Sequence, residues 1–391
     1  MNRNIKAVPF HKPVTGRKEI KAVKKVLSGG WLTTGNVTLE FEKNFARFLN
    51  KSSPPYSLAV NSATAGIHLA LEACGVSEND FVALPTMTFT AAAEVIIHLG
   101  GIPVFIDSEP ETGNMDWRHL DKILRNNKNI AEKLKAVIPV HLAGYPMDMD
   151  PIRDIIPDYT VIIEDSAHAF PSFTEKGPAG LLGDIGVFSF YATKTITTGE
   201  GGMVVTRNKR FYERIKLMRL HGIDRTVWNR YSSSAGSRAW EYDVLAPGYK
   251  YNLTDIASAI GNEQLNIALK LLDKRKKISE IYIKELSDIK ELQLPPSADG
   301  HAWHLFILRL GSSDKRDFLA LKLKENNIGS SVHFIPLHKM TYWKNEFHLE
   351  EKDYPEAEKF FAGAISIPIW PGLRWKDQKR IIKIIRENIN E

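Results

Sequence analysis

Apolar segments of strand length alternate with helical patterns between residues 55 and 206. The strand-like segments are YSLAV (56–60), FVALP (81–85), PVFID (103–107), KAVIPV (135–140), TVIIED (160–165), GVFSF (186–190) and GMVVT (202–206). Most are continuous apolar runs, which is typical of strands buried on both faces of a sheet. Helical patterns lie between them, near 63–74, 88–99, 115–125, 150–155 and 207–219. This alternation predicts an α/β domain with a mostly parallel sheet, whose functional residues collect beyond the carboxyl ends of the strands.

The pattern changes after residue 222, where a polar, Gly/Ser-rich stretch (229–237) has no periodicity. A long loop in a compact domain is usually functional or disordered. The rest of the chain reads as a helical pattern from about Thr254 to Leu286, HAWHLFILRL (301–310), a helix near 314–326, IGSSVHFIP (328–336), AISIPI (364–369) and a basic amphipathic end helix. We therefore expect an N-terminal arm and large domain over 1–260 and a smaller α+β domain over 261–391.

Composition narrows the class of protein. Of the 391 residues 43% are hydrophobic, and Cys74 is the one cysteine, so a disulfide scaffold and a Cys₄ or Cys₂His₂ zinc site are excluded. The first 25 residues contain no apolar core of signal-peptide length, and no run approaches the roughly 20 apolar residues of a membrane span. The net charge of +6 comes from scattered residues. We expect no nucleic-acid partner, no membrane partner and a cytoplasmic location.

Two polar segments follow strand-like runs directly. Small residues in NSATAG (61–66) precede a helical pattern, so free backbone N–H groups there would suit a phosphate, although an ordinary helix N-cap is an alternative. Asp165 ends the strand-like run 160–165. Its carboxylate could fix a cationic ring nitrogen, hold a metal, orient a histidine or simply cap a helix.

Two further segments complete the set. Lys194 ends FSFYATK (188–194) among apolar and small residues, ahead of GEGG (199–202). Desolvation there would lower its pKa and favour a Schiff-base nucleophile, whereas an exposed loop lysine is the alternative. Phe89 follows another strand-like run and could cover a planar ligand or pack in the core.

Together the four segments supply the parts of a pyridoxal phosphate (PLP) site, namely a phosphate cradle, a ring-nitrogen carboxylate, an aromatic lid and a desolvated lysine. Other constellations fit less well, because the sequence has no GxGxxG after a strand, no GxxxxGK[ST], no GxSxG and no HExxH. His301 and His304 fall in a strand-like run, where they would face opposite sides, so we expect no metal. Ser166, His168 and Asp165 are too close in sequence to assemble easily as a triad.

The chain resembles the DegT/StrS family of PLP-dependent sugar aminotransferases. The stretches that carry the resemblance are GGWLTTG (29–35), NSATAG (61–66), EDSAHA (164–169), FSFYATK…GEGG (188–202), PGYKYNLTDI (247–256), HAWHLF (301–306) and SSVHFIPLH (330–338). They cover nearly the whole chain in the family's order. The resemblance implies the aspartate aminotransferase fold (fold type I), with PLP bound in the large domain. It is greatest to enzymes of lipid A aminoarabinose and surface or spore-coat polysaccharide synthesis.

The resemblance also implies roles at matching positions. Lys194 would form the Schiff base with PLP, Asp165 would pair with the pyridinium nitrogen, and His168 would lie near the ring's 3-oxygen. Phe89 would stack on the ring, and the phosphate would be held by Ala63, Thr64 and Ser189.

Other matching residues concern a partner subunit and the substrate. Asn252 would reach the phosphate from the neighbouring chain, which implies a homodimer with shared sites. The family's substrate contacts fall here on Trp31, Thr33, Thr34, His333, Arg225 and Arg230.

The implied activity is transfer of an amino group from glutamate to C4 of a UDP-linked keto sugar. One alternative is a PLP-dependent sugar dehydratase, a branch that has histidine in place of the Schiff-base lysine, whereas position 194 here is lysine. A non-catalytic regulator on the same fold is the other alternative, and loss of a site residue would have favoured it.

Overall fold

Seven strands pair into one central sheet. The computed structural model describes residues 6–224 and 241–389. Its strands are β1 (Tyr56–Val60), β2 (Phe81–Pro85), β3 (Ile102–Ile106), β4 (Leu134–Val137), β5 (Val161–Asp165), β6 (Phe173–Thr174), β7 (Gly177–Pro178), β8 (Ile185–Ser189), β9 (Gly202–Thr206), β10 (Phe306–Arg309) and β11 (Ala364–Ile367). The order across the central sheet is β1-β9-β8-β5-β4-β2-β3. Six of its strands run in one direction, and β9 runs opposite to them. The predicted mostly parallel sheet is therefore confirmed.

Helices cover both faces of this sheet. Those before the polar loop are α1 (Arg17–Gly29), α2 (Asn36–Leu49), α3 (Ala63–Ala73), α4 (Ala91–His98), α5 (Trp117–Asn126), α6 (Lys128–Lys133), α7 (Asp150–Arg153) and α8 (Lys209–Met218). Successive residues of β9 enter different cores: Val204 packs in the cluster that contains Ile67 of α3, and Met203 packs with Phe41 of α2. Because neighbouring side chains of a strand point to opposite faces, a continuous apolar run fills both cores.

The second half of the chain forms a smaller sheet with its own helices. These are α9 (Asp255–Asn266), α10 (Ala268–Leu286), α11 (Ser313–Glu325), α12 (Thr341–Glu346), α13 (Pro355–Gly363) and α14 (Trp375–Asn388). Strands β10 and β11 pair antiparallel. Their core includes Tyr282, Phe306 and also Val8 from the amino-terminal arm. The division into domains at residue 260 stays a prediction.

Three sequence expectations for this half differ from the structure. The pattern over 254–286 is two helices, because the backbone leaves helical geometry at Ile267 (φ −115°, ψ 5°). The run 301–310 is a strand only from Phe306, since the amides of Ala302 and His304 bond to the carbonyls of Gly144 and Ala143 instead of a strand partner. The stretch 328–336 makes only isolated bridges.

None of the helices within 6–224 and 241–389 combines the length and the apolar character needed to cross a bilayer.

Candidate active site

A cavity of about 370 Å³ opens at the carboxyl ends of β5 and β8. Eight of the residues predicted for the site line it, namely Ala63, Thr64, Phe89, Asp165, His168, Ser189, Lys194 and His333. They come from loops that are far apart in sequence but meet at one edge of the sheet, as ligand-binding residues do in α/β folds.

Lys194 lies in the turn that follows β8. Its backbone amide donates to the carbonyl of Tyr191 at 2.9 Å, which holds the turn. Burial lowers the pKa of Lys194 to about 8, and the charge of Asp165 opposes that shift. A larger fraction of the amine is therefore uncharged near neutral pH than for an ordinary lysine, as a nucleophilic amine requires.

Asp165 and Glu164 end β5 and point to opposite sides. Asp165 faces the cavity, where burial raises its pKa, and its carboxylate accepts a hydrogen bond from the amide of Ala167 at 3.0 Å. Glu164 is fully buried on the other side. Its carboxylate bonds to His141 Nε2 and to three backbone amides, those of Gly180, Leu182 and Gly183. Glu164 is thus a structural carboxylate, and only Asp165 can meet a ligand in the cavity.

The amino-terminal end of α3 forms one wall. Ser62 caps the helix by accepting a hydrogen bond from the amide of Ala65 at 3.1 Å, and Ala63 and Thr64 follow it along the cavity. A side chain at Gly202 would lie 2.9 Å from the amide nitrogen of Ala63, so glycine is required there. The positive end of the helix dipole and the hydroxyl of Ser189 make this wall suited to an anion.

Aromatic rings form the opposite part of the cavity. Phe89 is 60% exposed and lies 6.2 Å from the ring of Phe334. Phe334 stacks on His168 at 5.7 Å, and His304 approaches His168 at 4.4 Å. Burial lowers the pKa of both histidines well below the usual range, so both are neutral near pH 7. His304 also lines the cavity, a role that its sequence pattern did not predict: it stood out only as a candidate metal ligand, although it lies in the HAWHLF stretch that carries the family resemblance.

Residues 13–386 match the model of the DegT/DnrJ/EryC1/StrS aminotransferase family. The chain belongs to this family. It is 36% identical to the spore coat polysaccharide biosynthesis protein SpsC of Bacillus subtilis, over 97% of this chain and 96% of SpsC. Among solved structures it is similar to Spr1654 of Streptococcus pneumoniae in its PLP form (31% identity, TM-score 0.88, 98% of this chain and 99% of that one). It is also similar to Helicobacter pylori PseC, an aminotransferase involved in the biosynthesis of pseudoaminic acid (26%, 0.88, 98% and 100%).

DegT-family aminotransferases depend on PLP, so this enzyme uses PLP, and its fold is the type I fold of such enzymes. The cavity fits the cofactor. It contains a half-buried lysine, a carboxylate and a helix amino terminus, which suit the aldehyde, the ring nitrogen and the phosphate of PLP respectively. Moreover, Nδ1 of His168 is buried without a hydrogen-bond partner in the part of the chain that the structure describes, so the site leaves a polar atom for a ligand.

Four further residues predicted for the site lie together, but they do not line this cavity. The side-chain amide of Asn252 donates to the hydroxyl of Thr34 at 2.6 Å, and Trp31 Nε1 donates to the backbone carbonyl of Thr34 at 3.2 Å. The carbonyl of Thr33 accepts from the amide of Asp255. Arg225 and Arg230 fall outside the described residues.

Within the described residues, the side chains are not arranged for the two other sites considered, a metal site and a Ser–His–Asp triad. Among residues 6–224 and 241–389, no three His, Cys, Asp or Glu side chains are grouped as a metal site requires. Within the same ranges the hydroxyl of Ser166 has no hydrogen-bond partner. A triad of Ser166, His168 and Asp165 therefore does not form.

Proposed function

We propose that this enzyme transfers an amino group from glutamate to C4 of a UDP-linked keto sugar. The observation that carries the proposal is the cavity itself. Lys194 and Asp165 both line it, interact electrostatically with each other and lie beside the amino terminus of α3. The similarity to SpsC and PseC supports a sugar substrate. The donor, the nucleotide and the C4 position rest on the sequence resemblance.

When bound, PLP supplies an electron-accepting ring that stabilises negative charge at the α-carbon of the amino donor. The residues that line the cavity would hold it: the backbone amides of Ala63 and Thr64 and the hydroxyl of Ser189 would bind its phosphate, and Phe89 would cover the ring. Asp165 would keep a proton on the ring nitrogen by pairing with the positive charge. His168, which is neutral and buried, would orient the side of the ring that carries the oxygen.

Lys194 moves the proton that the reaction requires. Its amine, with a pKa lowered to about 8 by burial, takes a proton from the donor's α-carbon and returns one at the cofactor carbon. In the second half-reaction the same amine works in the reverse direction while the sugar receives the amino group. A base with a pKa near the working pH performs both transfers well.

The active form is proposed to be a homodimer with shared sites. Asn252 lies outside the cavity of its own chain, beside the loop that carries Trp31, Thr33 and Thr34. In the dimer, the amide of Asn252 would contact the PLP phosphate in the partner's cavity. His333 would contact the sugar nucleotide from its own chain, and Arg225 and Arg230 would bind its phosphates.

Subunit mixing tests this arrangement. The homodimers of Lys194→Ala and Asn252→Ala should both be poor enzymes, because both sites of each are defective. In a mixed dimer one site has Lys194 from the Asn252→Ala chain and Asn252 from the Lys194→Ala chain. Activity should therefore rise well above both parents, towards at most about half of wild type per dimer. The subunits are mixed under mild denaturant, refolded with PLP and assayed.

Heterodimer formation is verified by mass in the same samples. If heterodimers form and activity does not rise, Asn252 acts in its own chain or in no site at all.

The substrate is tested by incubating the enzyme with glutamate and a panel of UDP-, GDP- and dTDP-keto sugars, with products read by mass. We expect an amino sugar from a UDP-4-keto sugar. Loss of water without amination would support the dehydratase instead. A glutamate-induced loss of the absorbance of bound PLP separates an aminotransferase from a non-catalytic regulator, and Lys194→Ala is the control for both measurements.

A further inference from the structure

The loop 31–35 and the segment 252–255 form one hydrogen-bonded unit, although about 220 positions separate them. The side-chain amide of Asn252 donates to the hydroxyl of Thr34 at 2.6 Å, and that hydroxyl donates to the backbone carbonyl of Leu253 at 2.5 Å. The amide of Asp255 donates to the carbonyl of Thr33 at 3.2 Å. The hydroxyl of Thr34 thus accepts from one residue of the segment and donates to the next, so its orientation and that of the Asn252 amide are set together.

The carboxylate of Asp255 secures this unit. It is 3% exposed and accepts from the amides of Gly35 (2.8 Å), Val37 (3.3 Å) and Thr38 (2.9 Å), and from the hydroxyl of Thr38 (2.6 Å). The three backbone amides are free N–H groups at the start of α2, where a negative charge is also favoured by the helix dipole.

The turn before α2 is closely packed around that carboxylate. A side chain at Gly35 would lie 2.4 Å from Trp31 Nε1 and 2.7 Å from the carboxylate of Asp255. The loop therefore cannot shift along α2 without losing hydrogen bonds to Asp255, and Thr34 with its bond to Asn252 stays at one position.

We propose that Asp255 is a positioning residue that locks the 31–35 loop to Asn252, so that both serve the same active site as one unit. The proposal rests on the proposed function, in which Asn252 contacts the PLP phosphate, and on the sequence resemblance, which implies that Thr34 contacts the substrate. Because their side chains are bonded to each other in one chain, the site that Asn252 reaches in the partner is also the site that Thr34 reaches.

The test uses Asp255→Ala in the PLP-loaded enzyme. Alanine removes the acceptor of all four bonds, whereas asparagine could keep the three that end on Oδ1. We expect KM for the nucleotide sugar to rise about tenfold while kcat/KM for glutamate changes less than about threefold. The apparent dissociation constant for PLP should rise about fivefold, and the amides of 33–38 should exchange hydrogen faster.

Glu19→Ala is the matched control. Glu19 is also a buried carboxylate that caps a helix, accepting from the backbone amide of Gly16 at 2.8 Å and from the side chain of Gln264 at 2.7 Å, but within residues 6–224 and 241–389 it makes no bond to the 31–35 loop. It should lower the thermal midpoint to a similar extent and leave KM for the sugar and the affinity for PLP unchanged.

Two results would overturn the proposal. One is an equal decrease in the rates of the glutamate and sugar half-reactions in both variants, in proportion to the stability that each variant loses. The other is unchanged PLP affinity in Asp255→Ala despite faster exchange of the loop amides. If wild type aminates none of the keto sugars, the proposed function fails, whereas PLP affinity and amide exchange still decide the role of Asp255.

Discussion

Lys194→Ala should lower turnover about 10⁴-fold or more while the protein still binds PLP. The substitution removes the amine whose pKa burial lowers to about 8, and with it both the covalent attachment and the proton transfer. The amino-terminal end of α3, Ser189 and Asp165 remain to hold the cofactor. Steady-state rates give the first quantity, and the absorbance of PLP retained after gel filtration gives the second.

Lys194→Arg is the control for charge. It keeps a cation in the cavity but no nucleophilic amine, because a guanidinium stays protonated at any working pH. Arginine should therefore be as inactive as alanine. If either variant keeps near-normal turnover without an added amine, the assignment of Lys194 is wrong.

Asp165→Ala should lower kcat about 10²–10³-fold with little loss of stability. Among the described residues the carboxylate makes one hydrogen bond, from the backbone amide of Ala167, so its removal leaves few donors unsatisfied. What is lost is the partner that keeps the ring nitrogen protonated. The enzyme should still fold and dimerise, and thermal melting beside steady-state kinetics measures both effects.

Glu164→Ala should show the opposite pattern, with a large loss of stability and little loss of activity in the folded protein. The structure gives the buried carboxylate of Glu164 four hydrogen-bond partners, which are His141 and three backbone amides. Loss of these bonds should lower the free energy of unfolding by about 4 kcal/mol or more. The fraction that folds should keep most of its specific activity. Equal losses of specific activity in the two folded variants would contradict the assignment of Asp165.

Much of the fold and of the cavity follows from local sequence patterns. Six of the seven strands of the central sheet begin and end within one residue of the predicted apolar runs, and β4 ends three residues before its run does. The agreement arises because a strand buried on both faces admits few polar residues. The lysine and the carboxylate could be found for a related reason. Lys194 and Asp165 follow such runs directly, and the carboxyl ends of parallel strands share one edge of the sheet.

Contacts between distant segments could not be predicted in this way. The break at Ile267 interrupts a continuous helical pattern, and the segment before Phe306 bonds to residues 143–144 instead of forming a strand. His304 reaches the cavity for that reason. Neither periodicity nor composition specifies such pairings, since they depend on which loops pack together once the sheets and helices have formed.

The sequence by itself determined the mostly parallel sheet, the family and the residues with reactive side chains, because side-chain chemistry and strand periodicity are local properties. Only the tertiary structure decided what surrounds them. It separated Glu164 from Asp165 by giving the former its backbone donors, and it joined Asn252 to Thr34 across 218 positions. Hydrogen bonds of this kind form where folded segments meet, and the environment that lowers the pKa of Lys194 exists only once these segments have packed around it.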